Sequence, residues 1–296
     1  MNIVITGATG YLGSKLVERL LDPPPLAVNC ENNLLLIVRN KSFVPKKINK
    51  MKNVLICNIN EDSLHDSVVS FSPDIIFSTT CCYETDPEFI YKTVDSNYVF
   101  PAKLLQIAAT LTKAVRFFSI GTSLPSSLNL YTLTKNHFAE LGFYFQQIGK
   151  IEFVNILLEN FYGINEPDNR FITRSILRLK ANQDLLLTEG TQRRDFIFID
   201  DVVEILKFLV DHKETGILAE FGYAIPIGTG VAPSIREVIV FLHNEIHSKS
   251  ALKFGAVEMR KNEPSTMADL SILKKLGFIK PLMYWQDGMR KVIESI

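Results

Sequence analysis

The chain has 296 residues, 32 of them Lys or Arg and 32 Asp or Glu, so its formal charge at neutral pH is zero; 47% of it is hydrophobic. That length and apolar content bury a sizeable core and exclude a disordered chain or a polyanion binder, and without a global field an acidic ligand must be held by a few placed cations. Four cysteines, Cys30, Cys57, Cys81 and Cys82, are too few for a disulfide framework and match no CxxC metal spacing. With no leader-like start and no apolar run of bilayer length, a cytoplasmic chain is expected.

In chain order, Asn2-Ile3-Val4-Ile5-Thr6 is an apolar run that predicts a strand. It ends in Gly7-Ala8-Thr9-Gly10-Tyr11-Leu12-Gly13, after which Leu12, Leu16 and Leu20 recur at helical spacing until Pro23-Pro24-Pro25 stops the helix. Further apolar strands are predicted at 34–38, 53–57, 74–77 and 114–118, with helical patterns near 61–70 and 88–111 between the later ones. A long helix over 131–147 and a sixth strand over 151–158 follow. Short apolar strands alternating with helices imply a parallel sheet buried on both faces, and right-handed crossovers make it doubly wound.

After Gly163 the texture changes. Pro167, Gly190, Gly216, Gly222, Pro226, Gly228 and Gly230 break the chain into short elements, with helices expected near 169–181, 201–211, 234–246 and 284–294. The expected fold is therefore α/β: a Rossmann-type doubly wound parallel sheet over 1–163, to which 196–222 partly returns, and a smaller mixed α/β substrate lobe over 164–296.

Glycines 7, 10 and 13 at a strand-to-helix junction allow a tight turn, close approach of a pyrophosphate and packing of the helix on the sheet. Thr9, Tyr11 and Leu12 belong to the same loop. A carboxylate at the end of the second strand would accept from the ribose hydroxyls of NAD. This chain has Arg39-Asn40-Lys41 there, and Arg39 can chelate a 2′-phosphate, so NADP is favoured over NAD; a solvated loop arginine is the alternative. Asn58, Ile59 and Thr79 are assigned to the same cofactor.

Two YxxxK matches occur, Tyr11/Lys15 and Tyr131/Lys135. Tyr11 lies within the glycine loop and its helix, where Lys15 points to solvent. Tyr131 opens a helix after the fifth strand, and its spacing to Lys135 puts both on one face. A phenol is a poor proton donor or acceptor at neutral pH unless an ammonium such as Lys135 favours its ionised form. Ser119-Ile120-Gly121-Thr122-Ser123 ends the fifth strand, so Thr122, with Ser123 in reserve, can hydrogen-bond the substrate oxygen that Tyr131 protonates. A strand-end cap beside a surface helix is the bland alternative.

Other candidates are weaker. His243 and His247 share i,i+4 spacing but lack the HExxH glutamate and a third ligand, so no metal site is expected. Asp200-Asp201 precede an apolar helical run and read as an N-cap rather than an acid/base pair. Tyr83 follows the fourth strand, at the carboxyl edge where the site mouth should lie, as a substrate contact or as packing. Cys81 and Cys82 read as wall residues rather than nucleophiles.

The Gly7-to-Gly13 loop, Tyr131/Lys135, Asn160-Phe161-Tyr162-Gly163, Gln192-Arg193-Arg194-Asp195-Phe196-Ile197-Phe198-Ile199-Asp200-Asp201 and the segment from Arg260 to Glu263 resemble an extended short-chain dehydrogenase/reductase of the nucleotide-sugar epimerase/dehydratase group. Within it, Gly121-Thr122-Ser123-Leu124-Pro125, Leu158-Glu159-Asn160-Phe161-Tyr162-Gly163 and Phe254-Gly255-Ala256-Val257-Glu258 look like CDP-paratose and CDP-abequose synthases. The resemblance implies NADPH-dependent reduction of the C4 ketone of a CDP-4-keto-3,6-dideoxyhexose, on the way to O-antigen. It also implies that Arg194 and Arg260 meet the sugar-nucleotide phosphates, that Asn160 and Phe171 contact substrate, and that a homodimer forms through helices near 88–111 and 131–147. The chain departs from many members in having Leu157 in place of an arginine and no Ser-Ser at the fifth strand's end. The alternatives are an NAD-retaining epimerase, which would show no net oxidation, a dehydratase, which would want an acid/base pair where Ser123-Leu124 stands, and a non-catalytic redox-sensing regulator that binds NADP.

Overall fold

The computed structural model describes residues 1–22, 32–83, 86–212, 218, 222–260 and 263–296; the Pro23-Pro24-Pro25 stop, Cys30 and Gly216 lie outside the described residues. The chain forms strands β1 (Asn2–Thr6), β2 (Asn33–Val38), β3 (Val54–Asn58), β4 (Ile75–Ser78), β5 (Arg116–Ile120), β6 (Glu152–Leu158), β7 (Asn160–Tyr162), β8 (Leu185–Leu187), β9 (Phe196–Phe198), β10 (Ala224–Ile227) and β11 (Leu252–Phe254). Helices α1 (Tyr11–Leu21), α2 (Lys46–Asn49), α3 (Leu64–Phe71), α4 (Ile90–Val94), α5 (Phe100–Thr110), α6 (Leu130–Gln147), α7 (Phe171–Lys180) and α8 (Ile199–Asp211) lie between them, followed by helices Ile235–Ile246, Ser271–Lys275 and Trp285–Ser295.

Seven strands form the central sheet in the order β10-β6-β5-β4-β1-β2-β3, the parallel doubly wound arrangement that the alternating pattern predicts. Ile3 pairs with both Leu34 and Ile75, which fixes β1 inside the sheet between β2 and β4. Ile3, Val4 and Ile5 are fully buried, as a strand covered on both faces requires. Below the sheet, Phe117, Phe138 and Phe153 pack with ring centroids 5.9–6.1 Å apart and hold α6 on β5 and β6.

Three expectations shift. The fifth strand spans Arg116–Ile120 rather than 114–118, because pairing with β4 begins where Arg116 meets Ile75 and runs through Ser119, a polar residue buried in the ladder. The helix expected over 88–111 is a composite of a 3-10 turn (Pro87–Phe89), α4, a π-turn (Asp95–Val99) and α5. Pro101 supplies the reason for the wide turn: it has no N–H for the Asn97 carbonyl, and its ring crowds that oxygen. Asp200 and Asp201 are not an N-cap. Helix α8 starts at Ile199, so both lie in its first turn, and Asp201 accepts from the Met283 amide at 2.7 Å.

The chain divides into two units, Met1–Leu157 with Leu206–Ile225, and Leu158–Ile205 with Pro226–Ile296. The second unit carries the two short parallel ladders, β7 with β9 and β8 with β11. Its centre is Asp195, which is fully buried yet accepts from the amides of Thr229, Gly230 and Ala268 and from the Thr229 hydroxyl. A buried carboxylate persists where such donors replace its lost water.

Candidate active site

In the first unit, Gly7 turns the chain from β1 to α1 at φ +64°, a left-handed angle that favours glycine. The Gly10 amide donates to the Gly7 carbonyl at 2.8 Å, closing the loop. A Cβ on Gly13 would stand 2.2 Å from that carbonyl, whereas one on Gly10 would meet nothing but the same oxygen at 3.1 Å. The loop is therefore closed on its inner side and open at Gly10, where the uncapped first turn of α1 begins. Thr9 is exposed and Tyr11 half-exposed, while Leu12 faces the core. The Thr79 hydroxyl donates to the Thr6 carbonyl at 2.6 Å, so it ties β4 to β1 behind the loop.

Arg39 directly follows β2 and is exposed; its carbonyl accepts from Asn60, and its guanidinium makes no ion pair with a described residue. Neighbouring Lys41 pairs with Asp62 at 3.1 Å. Arg39 is thus the cation of that segment available to a further anion. Asn58 is buried and its side chain accepts from the Asn60 amide, while Ile59 packs against the apolar core.

Asn129 opens α6 with a reciprocal capping box to Thr132, which starts the helix one residue before Tyr131. One turn on, Lys135 is 5% exposed, and its Nζ donates to the carbonyls of Ile120 at 2.8 Å and Thr80 at 3.0 Å. Burial pulls its pKa below the usual lysine value. An ammonium has three donors, so one N–H remains for a ligand. The Tyr131 ring lies 4.8 Å from that of Tyr83, which brings the loop after β4 against the start of α6. Thr122 is buried and its Oγ1 accepts from the Leu124 amide at 3.2 Å, which leaves its own proton to donate. Ser123 is half-exposed beside it. The other YxxxK match has a different fate, since Lys15 faces Glu18 at 3.9 Å on α1.

Two residues of this site escape sequence reasoning. Asn97, fully buried in the π-turn, accepts from the Cys82 amide at 2.8 Å and donates to the Cys82 carbonyl at 2.9 Å and the Thr134 hydroxyl at 3.2 Å. It thereby clamps the Cys81–Tyr83 loop to α6. Its only sequence signal is an amide inside an apolar helical run. Asn136 donates to the Leu124 carbonyl at 3.1 Å and holds the Thr122 loop to the same helix.

In the second unit, Asn160 begins β7 and Phe171 begins α7, both half-buried. Arg194 is buried; it donates to the carbonyls of Arg193 and Pro264 and is ion-paired to Glu263. Burial lowers its pKa, while Glu263 and Glu159 hold it up. Glu159 is itself buried and accepts from the Thr266 hydroxyl at 2.7 Å. Arg260 is exposed, next to residues 261 and 262, which lie outside the described residues. The two histidines do not share a helix face: His243 meets the Ser250 carbonyl at 3.1 Å, and His247 is the left-handed C-cap beyond the helix end.

Comparison with known proteins places these features in context. The family described as "NAD dependent epimerase/dehydratase family" matches residues 3–221. CDP-abequose synthase of Salmonella typhimurium is 28% identical, over 99% of this chain and 98% of that protein. ADP-L-glycero-D-manno-heptose-6-epimerase of Brachyspira hyodysenteriae is 27% identical over 99% and 97%. Among solved structures, UDP-glucuronic acid 4-epimerase from Bacillus cereus, in complex with UDP-glucuronic acid and NAD, superposes with a TM-score of 0.83 at 21% identity, covering 100% of this chain and 98% of that one. It shares the fold.

Proposed function

The chain belongs to the NAD dependent epimerase/dehydratase family, and from that membership we propose that it reduces the C4 ketone of a CDP-4-keto-3,6-dideoxyhexose with NADPH, giving CDP-abequose or CDP-paratose. The observation that carries this reading is the Tyr131/Lys135 pair at the start of α6, with Lys135 buried against the carbonyls of Thr80 and Ile120. The 28% identity to CDP-abequose synthase over 99% of the chain supports that choice of substrate class.

The residues present fit a dinucleotide. A loop that a Cβ at Gly13 would block, yet open at Gly10, suits a pyrophosphate at the start of α1, and Arg39 would take the 2′-phosphate. NADPH, when bound, supplies the hydride that C4 receives. The Tyr131 phenol gives its proton to the ketone oxygen as the C=O double bond becomes a C–O single bond, and it regains a proton from solvent. The free Lys135 N–H holds the nicotinamide ribose, and its charge favours the phenolate left behind. The Thr122 hydroxyl donates to the same ketone oxygen and aligns it, with Ser123 nearby. In the second unit, Asn160, Phe171, Arg194 and Arg260 are assigned to the nucleotide sugar; in the first, Tyr83, whose ring lies 4.8 Å from that of Tyr131, is assigned a substrate contact.

The test is to mix the purified protein with NADPH and a panel of nucleotide 4-keto sugars, following loss of nicotinamide absorbance and product stereochemistry by NMR. Tyr131→Phe should lower kcat by about 10²-fold or more, the contribution typical of a general acid. A variant that keeps most of its rate overturns the assignment. A second reading, an NAD-retaining epimerase, has the 27% identity to the heptose epimerase in its favour; it predicts epimerisation without net NADPH oxidation. The reading includes a cytoplasmic homodimer joined through 88–111 and 131–147, in keeping with the exposed Ile90, Tyr91 and Tyr144 of those helices. Sizing by light scattering checks it.

A further inference from the structure

We infer that the second unit carries a binding pocket for a single-chain anionic amphiphile, an alkyl phosphate or alkyl carboxylate. A cavity of about 490 Å³ lies between the loop at Thr229 and Val231 and the C-terminal stretch from Leu270 to Trp285. Small-molecule sites occupy roughly 300–1,000 Å³ and are mostly apolar. None of its lining residues belongs to the proposed reductase machinery, so this inference is independent of that reading.

The walls are apolar and firmly set. Leu270, Leu273, Phe278, Leu282, Met283 and Trp285 are among its lining residues. Asp201 fixes the Met283 amide at 2.7 Å, and the buried Tyr162 hydroxyl donates to the Trp285 carbonyl at 2.9 Å. Asp195 holds the opposite wall through the Thr229 and Gly230 amides. With both sides anchored by hydrogen bonds, the cleft cannot simply collapse onto itself. At its mouth Ile279 is 92% exposed and Tyr284 53%, which continues the apolar surface outward.

Charge decides the class of ligand. The two charged lining residues, Lys274 and Lys280, are both cations. Glu204 meets Lys280 at 2.8 Å on an exposed edge, where a ligand anion can compete with it. Asp269, near Lys274, is engaged by the Ser271 amide at 2.9 Å. An apolar chamber with lysines at its rim and no acidic residue among its described lining suits one alkyl chain with an anionic head, and it offers a sugar or nucleotide few partners.

Trp285 is the single tryptophan of the chain and lines the cavity, so its fluorescence reports occupancy. The protein is titrated with decyl phosphate, decyl maltoside and decyltrimethylammonium below their micelle thresholds, and with phosphatidylglycerol vesicles, calorimetry serving as the second readout. A saturable spectral shift with decyl phosphate is expected, with binding about tenfold or more weaker for the neutral and cationic analogues, the scale of a charge-assisted contact. Lys274→Glu combined with Lys280→Glu should lose that preference while the melting profile is retained. Met283→Phe, which fills the cavity without adding a fluorophore that masks Trp285, should weaken all three. No saturable shift, equal affinity across head groups, or a response to vesicles alone overturns the inference.

Discussion

The Lys135 ammonium donates to the main-chain carbonyl of Ile120 at 2.8 Å, so a side chain of α6 is bonded to the last residue of β5. The next two residues after Ile120 are Gly121 and Thr122. The same bond that places Lys135 also sets the distance between the Tyr131 helix and the hydroxyl loop.

Replacing Lys135 therefore tests chemistry and architecture together. In Lys135→Met the Ile120 and Thr80 carbonyls lose their donor, at about 1–3 kcal/mol each where no water reaches them. We expect a lower Tm and a kcat reduced by about 10²-fold or more, because the phenolate of Tyr131 loses its neighbouring charge. Thermal melts and NADPH oxidation check the two effects separately, and a stable protein with normal kcat would contradict the role given to Lys135.

Arg39 should set cofactor choice. Its guanidinium makes no ion pair with a described residue, and Lys41 beside it is already paired to Asp62. Arg39→Asp replaces a phosphate chelator with a carboxylate that repels phosphate and accepts from ribose hydroxyls. KM for NADPH should rise by about 10- to 100-fold while KM for NADH falls or holds, consistent with the strength of charged hydrogen bonds. Steady-state kinetics with both cofactors decides it.

Glu166 gives a pH dependence whose sign can be worked out. Burial raises its carboxyl above the usual glutamate value, against the opposing pull of Arg170 at 2.9 Å and of the Thr173 hydroxyl. A raised folded pKa means the folded state holds a proton that the unfolded chain has released. The associated stability is present in full below the ordinary glutamate value and is lost as pH rises through the raised one. Glu166→Gln removes that dependence. The Tm difference between variant and parent should thus move in the variant's favour as pH rises from acid to neutral, and a difference that stays constant with pH would refute it.

What could be read from the sequence was what local chemistry leaves behind locally. Gly7, Gly10 and Gly13 mark a turn that only small residues can make, and Tyr131 and Lys135 are one helical turn apart, so neighbouring residues suffice to recognise them. Asn97 escaped because its partners stand 15 and 37 residues away and because a π-turn has no period of its own. Asp200 and Asp201 read as a cap, but the apolar run that defines α8 begins before them, at Ile199. The apolar cavity leaves no local mark either, since its lining comes from segments more than 30 residues apart, around Val231 and from Leu270 to Trp285.

The family resemblance implies that Arg194 meets phosphate, and its partner Glu263, 69 residues away, changes what that role requires. The guanidinium is buried, ion-paired and bonded to two carbonyls, so an incoming pyrophosphate must take it from Glu263 or share it. Neutralising the competitor should therefore favour the ligand. In Glu263→Gln the amide can keep one hydrogen bond to Arg194 but leaves its charge to be balanced from elsewhere, and a phosphate can do so. Calorimetry with CDP should show binding severalfold tighter than in the parent, accompanied by a lower Tm because the buried pair is broken. Arg194→Lys, which retains the charge but not the forked geometry, should weaken CDP binding by about tenfold. If Glu263→Gln binds CDP no better while Arg194→Lys leaves affinity untouched, Arg194 is a strut for the 263–264 segment and the phosphate contact belongs to another cation.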